Sequence, residues 1–435
     1  MSEEEIASAE EQLAPLLSSP RNDGRGLTPL VADQLAFEAM IAELQSGFGP
    51  IAIDAERASG YTYSQRAYLI QIYRRNGGLH LIDPIAVSDA SLWKQLSDAL
   101  IDCEWIIHAS TQDLPCLREV GLDPQLLFDT ELGGRIAGAE RVGLGPLTEK
   151  LLGIRLAKEH SAVDWSTRPL PEPWLNYAAL DVDVLVDLRD AVRELLASQN
   201  KLGWAEEEFA AILKAPAPAP RVDPWRKTSG IHKIRDRRTL AIIRDMWIAR
   251  DAYARSIDKA AGRIFNDEIL MEIASRRPSN IDVFTKLITR RKPNAQYPFA
   301  EWFDILRSTI ALPDDQLPPA RLPSTTLPPA KLWQEKNPLA YARYTHARAA
   351  LTELSASIAI PIENLISPDF VRQTLWPEPP AEATNWPEYV KASLAKLGAR
   401  RWQLDLVTPV LAPILGEREP LVAAAEAPPT GETDS

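Results

Sequence analysis

The chain alternates between segments whose apolar residues have strand spacing and segments whose apolar residues have helical spacing. Residues 49–56 form a short apolar run that ends in acids, residues 67–73 are rich in β-formers, and residues 78–83 follow a turn at Asn76-Gly77. These segments predict a three-stranded meander with a hairpin. A further strand is predicted at 104–108, and helices are predicted near 88–100, 111–120, 129–138, 143–152 and 172–199. Such an order favours an α/β domain with a mixed sheet flanked by helices.

Proline divides the rest of the chain. Residues 214–224 and 312–332 carry repeated prolines, which exclude helix interiors and favour extended linkers. We therefore expect an α/β domain at 25–213 and two all-α domains at 225–311 and 333–415. The acidic segments 1–24 and 416–435 are predicted to be disordered tails.

The two all-α blocks share a faint internal repeat. At an offset of 101 residues, Ser256-Ile257 matches Ser357-Ile358 and Pro278 matches Pro379. Identity between the two segments is low. The pattern predicts two copies of one small helical module.

Composition narrows the class of protein. The 435 residues are 45% hydrophobic and contain no uninterrupted apolar run long enough for a transmembrane helix. The first residues lack the basic and apolar regions of a secretory signal. Only two cysteines are present, which is typical of a reducing compartment. We expect a cytoplasmic monomer with no membrane partner.

The net charge of −12 hides a strong asymmetry. Residues 221–310 contain 19 Lys and Arg against 11 Asp and Glu, so this segment carries +8 and the remainder −20. A solvated helix face is one interpretation, and a surface that binds a polyanion is the other. The candidate nucleic-acid-binding residues are Arg226, Lys227, Lys233, Arg235, Arg237 and Arg238.

Several acidic residues lie where chemistry is possible. Asp54 and Glu56 end the first long strand with one residue between them, so their carboxylates project from the same face. Tyr177 and Asp181 are four residues apart on a predicted helix and share a face, whereas Asp183 lies on another face. Taken singly, a rim charge pair explains D-x-E, and helix capping explains Asp113.

The ordered set resembles a known signature. D-x-E, a later Asp and then Y-x-x-x-D are typical of the tyrosine class of DEDD exonucleases. Residues 164–170 and 177–182 resemble the third-motif region of the ribonuclease D family, and residues 69–72 resemble its second strand. Residues 225–311 are similar to the HRDC module, a helical nucleic-acid-binding domain, and residues 333–415 resemble a second, more diverged copy. The resemblance implies an RNase H-like fold for the first domain.

Two further acidic patterns compete with this assignment. Asp129-Thr-Glu131 is also D-x-E, but a helix follows directly, so an N-cap explains Asp129 better. His108 and Asp113 imitate the last motif of the histidine class of the same superfamily. That alternative would leave Tyr177 and Asp181 unexplained.

The resemblance also implies a chemistry. Oxygen ligands without Cys or His suit two divalent cations, Mg²⁺ or Mn²⁺. Asp54, Glu56 and Asp181 would hold the first ion, and Asp54 would be shared with the second. Asp113 would act mainly through metal-bound water, and the Tyr177 hydroxyl would orient the attacking water. The catalytic set implied is Asp54, Glu56, Asp113, Tyr177 and Asp181.

The expected activity is 3′→5′ hydrolysis of RNA to nucleoside 5′-monophosphates, in tRNA 3′-end maturation and RNA turnover. Lys158 and Arg168 are candidates to bind substrate phosphates, and Tyr61, Tyr63 and Trp165 are candidate stacking platforms. Two alternatives remain: DNA as the substrate, or a nucleic-acid-binding protein with an inactive nuclease fold. A built-in helicase is not expected, because no P-loop motif occurs.

Overall fold

A computed structural model describes residues 14–157, 162–217, 219–290, 292, 295–322, 327–379 and 385–416. The α/β domain is built on a six-stranded sheet with strand order β2-β5-β4-β3-β6-β7. A separate parallel pair joins β1 to β8. The strands are β1 (Leu16–Leu17), β2 (Leu30–Val31), β3 (Ile51–Arg57), β4 (Ala67–Arg74), β5 (Gly78–Ile82), β6 (Glu104–Ile107), β7 (Leu126–Asp129) and β8 (Arg155–Leu156).

The sheet is mixed, as the sequence pattern predicts. Strands β3, β4 and β5 form an antiparallel meander, whereas β3, β6 and β7 run parallel. Eight helices accompany the strands of this domain in the described residues: α1 (Gln34–Ser46), α2 (Ala90–Ala99), α3 (Leu114–Glu119), α4 (Thr130–Ile136), α5 (Leu144–Leu152), α6 (Glu172–Asp183), α7 (Leu185–Ser198) and α8 (Leu202–Lys214).

The position of β3 decides where its carboxylates lie. Ile51 and Ile53 are fully buried, because β3 lies between β4 and β6 in the sheet interior. Since β3 and β6 are parallel, their carboxyl ends meet at one edge of the sheet. Helix α6 packs across β3, β4 and β5. The end of β3, the turn after β6 and one face of α6 are thereby brought together.

The predicted N-terminal tail is partly wrong. Residues 14–24 are held in place, because β1 pairs with β8 and the Arg21 Nε donates to Asp183 at 2.9 Å. The Asn22 backbone N–H also donates to Asp183, and the Asn22 side chain is fully buried. Long-range partners, which composition does not reveal, order this acidic segment. Residues 1–13 and 417–435 lie outside the described residues.

Two helical modules follow the α/β domain. The first module (residues 225–311) contains α9 (Arg237–Ser256), α10 (Ala261–Ile264), α11 (Asp267–Arg276), α12 (Ile281–Thr289) and α13 (Phe299–Ile310). The second module (residues 333–415) begins with the short helix α14 (Trp333–Lys336). Its other helices are α15 (Pro338–Ser357), α16 (Ile362–Leu365), α17 (Pro368–Leu375), α18 (Trp386–Leu397) and α19 (Arg401–Gly416).

The helix bounds agree with the faint repeat. Helices α9 and α10 both start and end 101 residues before α15 and α16, and α11 starts 101 residues before α17. The final helices carry Trp302 and Trp402, which are both buried. The two modules therefore share their helix order and the spacing of their first three helices despite their low sequence identity.

The two modules are packed differently. Buried apolar residues of the second module and of the α/β domain form one continuous core, whereas the first module has a core of its own. At the shared interface, Trp402 stacks on Trp204 with ring centroids 5.3 Å apart. Glu208 on α8 is buried there, accepts from Trp402 Nε1 at 3.0 Å and pairs with Arg400 at 2.6 Å. The second module thus packs directly against the α/β domain and shares its hydrophobic core.

No helix among the described residues combines the length and apolar character that spanning a bilayer would require.

The buried Glu208 makes the interface testable. We expect Arg400→Met to destabilise the protein by about 3 kcal/mol, because a buried carboxylate loses its countercharge. The double variant Glu208→Gln/Arg400→Met should recover part of the loss, since the amide still accepts from Trp402. Urea unfolding measures both changes; a double variant less stable than the single one would contradict the assignment.

Candidate active site

Three carboxylates converge at the edge of the sheet. Oxygen atoms of Asp54, Glu56 and Asp181 lie within 4.8 Å of one another. They line a cavity of about 500 Å³ together with Asp113 and Tyr177. The five residues that the sequence predicts to be catalytic, separated by up to 127 positions in the chain, therefore face one cavity.

Asp113 lies at the N-cap position directly before α3, but its side chain does not cap the helix. Its side chain makes no capping hydrogen bond and is instead hydrogen-bonded to Asp54. The capping role that a single aspartate at a helix start favours is wrong for this residue. Asp113 is buried, at 5% exposure, and lies in the carboxylate cluster.

A second aspartate supports the turn that carries Asp113. Asp129 caps α4 by accepting from the backbone N–H groups of Glu131 and Leu132, each at 3.0 Å, which confirms its prediction as an N-cap. It also accepts from the Ser110 backbone N–H at 2.8 Å and the Ser110 hydroxyl at 2.7 Å. Asp129 thereby ties the turn before α3 to the end of β7.

Helix α6 supplies the remaining pair. Tyr177 and Asp181 lie one turn apart and are hydrogen-bonded to each other through their side chains. Asp183 points away from the cavity and binds the N-terminal segment, as its predicted face requires. His108 also lines the cavity, but its Nδ1 is hydrogen-bonded to Thr130. Burial lowers the pKa of His108.

Sequence reasoning missed Arg57. Strict alternation would turn this residue to the face opposite Glu56. The strand register shifts between Glu56 and Arg57, and such a bulge re-aims the following side chain. The Arg57 guanidinium lies 3.5 Å from Asp113 and is the single Lys or Arg side chain that lines the cavity within the described part of the chain.

The cluster has a large electrostatic cost. Burial is the largest cause that raises the pKa of Glu56 and Asp181 well above their usual values, and the charge of Asp54 adds to the shift of each. Burial and the Asp54 charge also raise the pKa of Asp113 to about 8. Burial and the neighbouring carboxylates raise the pKa of the Tyr177 phenol. Without a cation, the neutral form of these carboxyls is therefore favoured, and Asp113 is largely protonated at neutral pH.

The donor set fits a divalent metal ion. All of the close ligand atoms are carboxylate oxygens, which Mg²⁺ and Mn²⁺ prefer. Gln71 lies directly opposite Asp54 in the β3–β4 ladder, so both side chains share a face. The Gln71 amide is fully buried, and neither of its polar atoms has a partner in the described residues. An unpaired amide beside the cluster is consistent with a hydrated cation there.

Arg168 is not placed to bind substrate. Its Nε and Nη2 form a bidentate pair with Asp83 at 2.7 and 2.8 Å. Its remaining N–H groups donate to the backbone carbonyls of Tyr68, Trp165 and Thr167. All five guanidinium donors are used, so the predicted phosphate contact is wrong and Arg168 has a structural role. Lys158 lies outside the described residues.

The three aromatic residues predicted to stack on bases lie in different environments. Trp165 is buried at 1% exposure and packs edge-on against Trp174. Tyr61 and Tyr63 follow β3 and contact the first helical module. Trp165 therefore belongs to the core, whereas the two tyrosines lie at a domain contact.

The predicted basic surface of the first module is only partly available. Arg226, Arg237 and Arg238 donate to backbone carbonyls of residues 310–319 and so fasten the proline-rich segment to the module. Arg235 donates to the carbonyls of His232 and Ile234. Of the six residues predicted to bind nucleic acid, Lys227 and Lys233 are exposed and make no side-chain hydrogen bond or ion pair with described residues.

Comparison with known families agrees with this architecture. Residues 30–197 match a family model described as a 3′–5′ exonuclease, residues 239–306 match the HRDC domain, and residues 326–415 match a 3′ to 5′ exonuclease C-terminal domain. The fold and the matches define a 3′–5′ exonuclease-type domain joined to an HRDC domain and a further helical domain.

Individual relatives carry a consistent name. Ribonuclease D of Acidiphilium cryptum is 34% identical over 223 residues, which cover 49% of this chain and 55% of that protein. Ribonuclease D of a Shewanella species is 30% identical over 263 residues, covering 59% and 66%. The chain is therefore similar in sequence to several proteins named ribonuclease D. The matched regions span less than two thirds of these two relatives.

Solved structures share the fold. A protein from Bifidobacterium adolescentis is 34% identical, with a TM-score of 0.83, and the match covers 93% of this chain and all of that one. Escherichia coli RNase D has a TM-score of 0.60 at 24% identity, with 85% and 98% covered. The order of the α/β domain and the helical modules is therefore shared beyond the nuclease motifs.

The raised carboxyl pKa values predict an unusual pH dependence in chelator. Burial and the Asp54 charge raise the pKa of Asp113 to about 8, against about 4 in an unfolded chain, so the folded state holds an extra proton between these values. The free energy of unfolding should therefore fall as pH rises through this range, by about 1.4 kcal/mol per pH unit for each such group.

Urea unfolding in chelator at several pH values between 4 and 8 measures this slope. Asp113→Asn should flatten it, and added Mg²⁺ or Mn²⁺ should restore stability at the alkaline end. An unchanged slope in the variant would contradict the assignment of the proton to this cluster.

Proposed function

We propose that this protein is a metal-dependent 3′→5′ exoribonuclease that releases nucleoside 5′-monophosphates and acts in tRNA 3′-end maturation and RNA turnover. The observation that carries the proposal is the convergence of Asp54, Glu56, Asp113, Tyr177 and Asp181 on one cavity. The relatives named ribonuclease D support RNA as the substrate. The presence of all five residues argues against an inactive nuclease fold.

The carboxylates form the cation-binding part of the site. Asp54, Glu56 and Asp181 would hold one divalent ion, and Asp54 with Asp113 would face a second. Two such ions activate the attacking water and stabilise the leaving 3′ oxygen of a phosphodiester. The carboxylates exchange the protons that they hold in the metal-free state for this positive charge, so metal affinity should increase with pH.

Tyr177 contributes as a hydrogen-bonding group. Because burial and the adjacent carboxylates raise the pKa of its phenol, the hydroxyl stays protonated at neutral pH. It is a poor general base in that state. We infer that it orients the nucleophilic water while its hydrogen bond to Asp181 fixes the ring.

Arg57 takes the role that the sequence suggested for Arg168. An RNA 3′ end that enters the cavity brings phosphate charge next to four carboxylates. Arg57 can contact a phosphate oxygen, since its pairing distance to Asp113 of 3.5 Å is long and leaves its donors weakly engaged. Arg57 therefore favours productive binding of the substrate.

The activity is tested with 5′-labelled RNA and a DNA of the same sequence, each with Mg²⁺, Mn²⁺ or chelator. We expect an RNA ladder that shortens from the 3′ end, and its loss in chelator. Asp54→Asn should slow hydrolysis by about 1,000-fold, because several kcal/mol of charge stabilisation are removed. Faster hydrolysis of the DNA would redirect the proposal to a DNA substrate.

The control for Asp54→Asn is a carboxylate on the neighbouring strand β6 that lies outside the cavity, at the opposite edge of the sheet. Glu104→Gln, at the start of β6, pairs with Arg189 and should leave the rate within a few-fold of the original. A ladder that persists in chelator or in Asp54→Asn would refute the two-metal assignment.

Substitution of Arg57 should mainly change the activity, whereas substitution of Arg168 should mainly change the stability. Arg57→Gln should lower kcat/KM for RNA by about 10- to 100-fold, the value of a charged hydrogen bond, with little change in stability. Arg168→Gln should instead destabilise the protein by about 3 kcal/mol, because Asp83 is left buried without its countercharge. Steady-state kinetics and urea unfolding of both variants separate the roles; a purely kinetic effect of Arg168→Gln would reverse them.

A further inference from the structure

The loop that follows β3, the strand that carries Asp54 and Glu56, is hydrogen-bonded to the HRDC domain. The backbone N–H and hydroxyl of Ser64 donate to Asp258 at 2.7 and 3.1 Å, and the Tyr68 hydroxyl donates to the same carboxylate at 3.2 Å. The Tyr63 hydroxyl donates to Asp251 at 3.0 Å. The HRDC domain therefore has a defined position beside the end of β3.

Among these contacts, the one made by Arg263 reaches the loop position that is closest in sequence to Glu56. Its Nε donates to the Gly60 carbonyl at 2.6 Å, and its guanidinium lies 3.9 Å from the centre of the Tyr61 ring. Gly60 follows Glu56 by four residues, so these two positions are separated by at most about 14 Å. A cation of the HRDC domain thus stands within a few nucleotides of the carboxylate cluster.

Two lysines extend this positive charge away from the active site. Lys292 Nζ donates to the Arg263 carbonyl, and Lys259 lines the same cavity of about 520 Å³ as Lys292. Neither lysine has an ion pair with a carboxylate in the described residues, whereas most arginines of the domain do. Burial, followed by the charges of Lys259 and Arg263, lowers the pKa of Lys292. Cations that repel one another without an acidic partner favour an anionic ligand.

The cavity also presents aromatic surface. Tyr253 and Tyr297 line it and meet edge-to-face with ring centroids 5.8 Å apart. Both rings are half-buried, so each keeps some surface toward the solvent. Cations that track a backbone beside rings that stack on bases are the combination that binds single-stranded nucleic acid.

We propose that Lys259, Arg263 and Lys292, together with Tyr253 and Tyr297, form a binding site for the single-stranded RNA segment that lies upstream of the 3′ end in the active site. This site rests on the proposed exoribonuclease function and gives the HRDC domain a specific face toward RNA. The face differs from the predicted one, which carries Lys227 and Lys233.

The test uses full-length protein in chelator, where RNA binds without being cleaved. Lys259→Gln/Lys292→Gln should weaken binding of a long 5′-labelled single strand by about tenfold. The slope of log affinity against log salt should become shallower by about 1.4, the value for two lost phosphate contacts. Binding of a trinucleotide, which is too short to reach the site, should not change.

Two control variants also replace two lysines by glutamine, but at positions outside the proposed RNA site. Lys391→Gln/Lys396→Gln alters exposed lysines of α18 and should bind RNA like the original protein. Lys227→Gln/Lys233→Gln tests the competing face of the HRDC domain. The proposal is overturned if Lys259→Gln/Lys292→Gln binds the long strand normally, or if either matched variant loses as much affinity.

Turnover with Mg²⁺ then separates this site from the activity itself. The Lys259→Gln/Lys292→Gln variant should raise KM for the long strand and hydrolyse the trinucleotide at the original rate. Absence of hydrolysis by the unmodified protein would refute the proposed function but leave the binding result in chelator readable. Equal KM values for the long strand in variant and original would refute the RNA site alone.

Discussion

Repulsion among buried carboxylates is the constraint on which this structure depends. The cavity at the edge of the sheet contains four acidic groups and a single arginine among the described residues, and burial raises the carboxyl pKa values. Such a cluster is stable only when protons or cations neutralise it. The surrounding framework must hold the groups together against this repulsion.

That framework is rigid where the repulsion is strongest. Asp54 and Glu56 lie on an interior strand, and Asp129 fastens the turn before Asp113 through hydrogen bonds to Ser110. The bidentate pair of Arg168 with Asp83 anchors the segment that leads into α6. Groups that look catalytic in the sequence thus include some whose task is to support the site.

The helical modules serve different purposes. The second module shares a core with the α/β domain through Trp204, Trp402 and the buried Glu208, so it contributes to the stability of the nuclease fold. The HRDC domain has a separate core and contacts the α/β domain largely through polar groups on the loop after β3. Two modules with the same helix order therefore have unlike interfaces.

By itself, the sequence determined the parts that depend on local order. Strand alternation placed Asp54 and Glu56 on one face, the i, i+4 spacing paired Tyr177 with Asp181, and proline marked the linkers. Tertiary structure decided the rest, because a side chain's partners come from distant segments. It turned Arg57 into the cavity through a bulge, closed every donor of Arg168 on its own chain, and ordered residues 14–24 against α6. Burial and countercharge are properties of the folded neighbourhood, which local spacing does not encode.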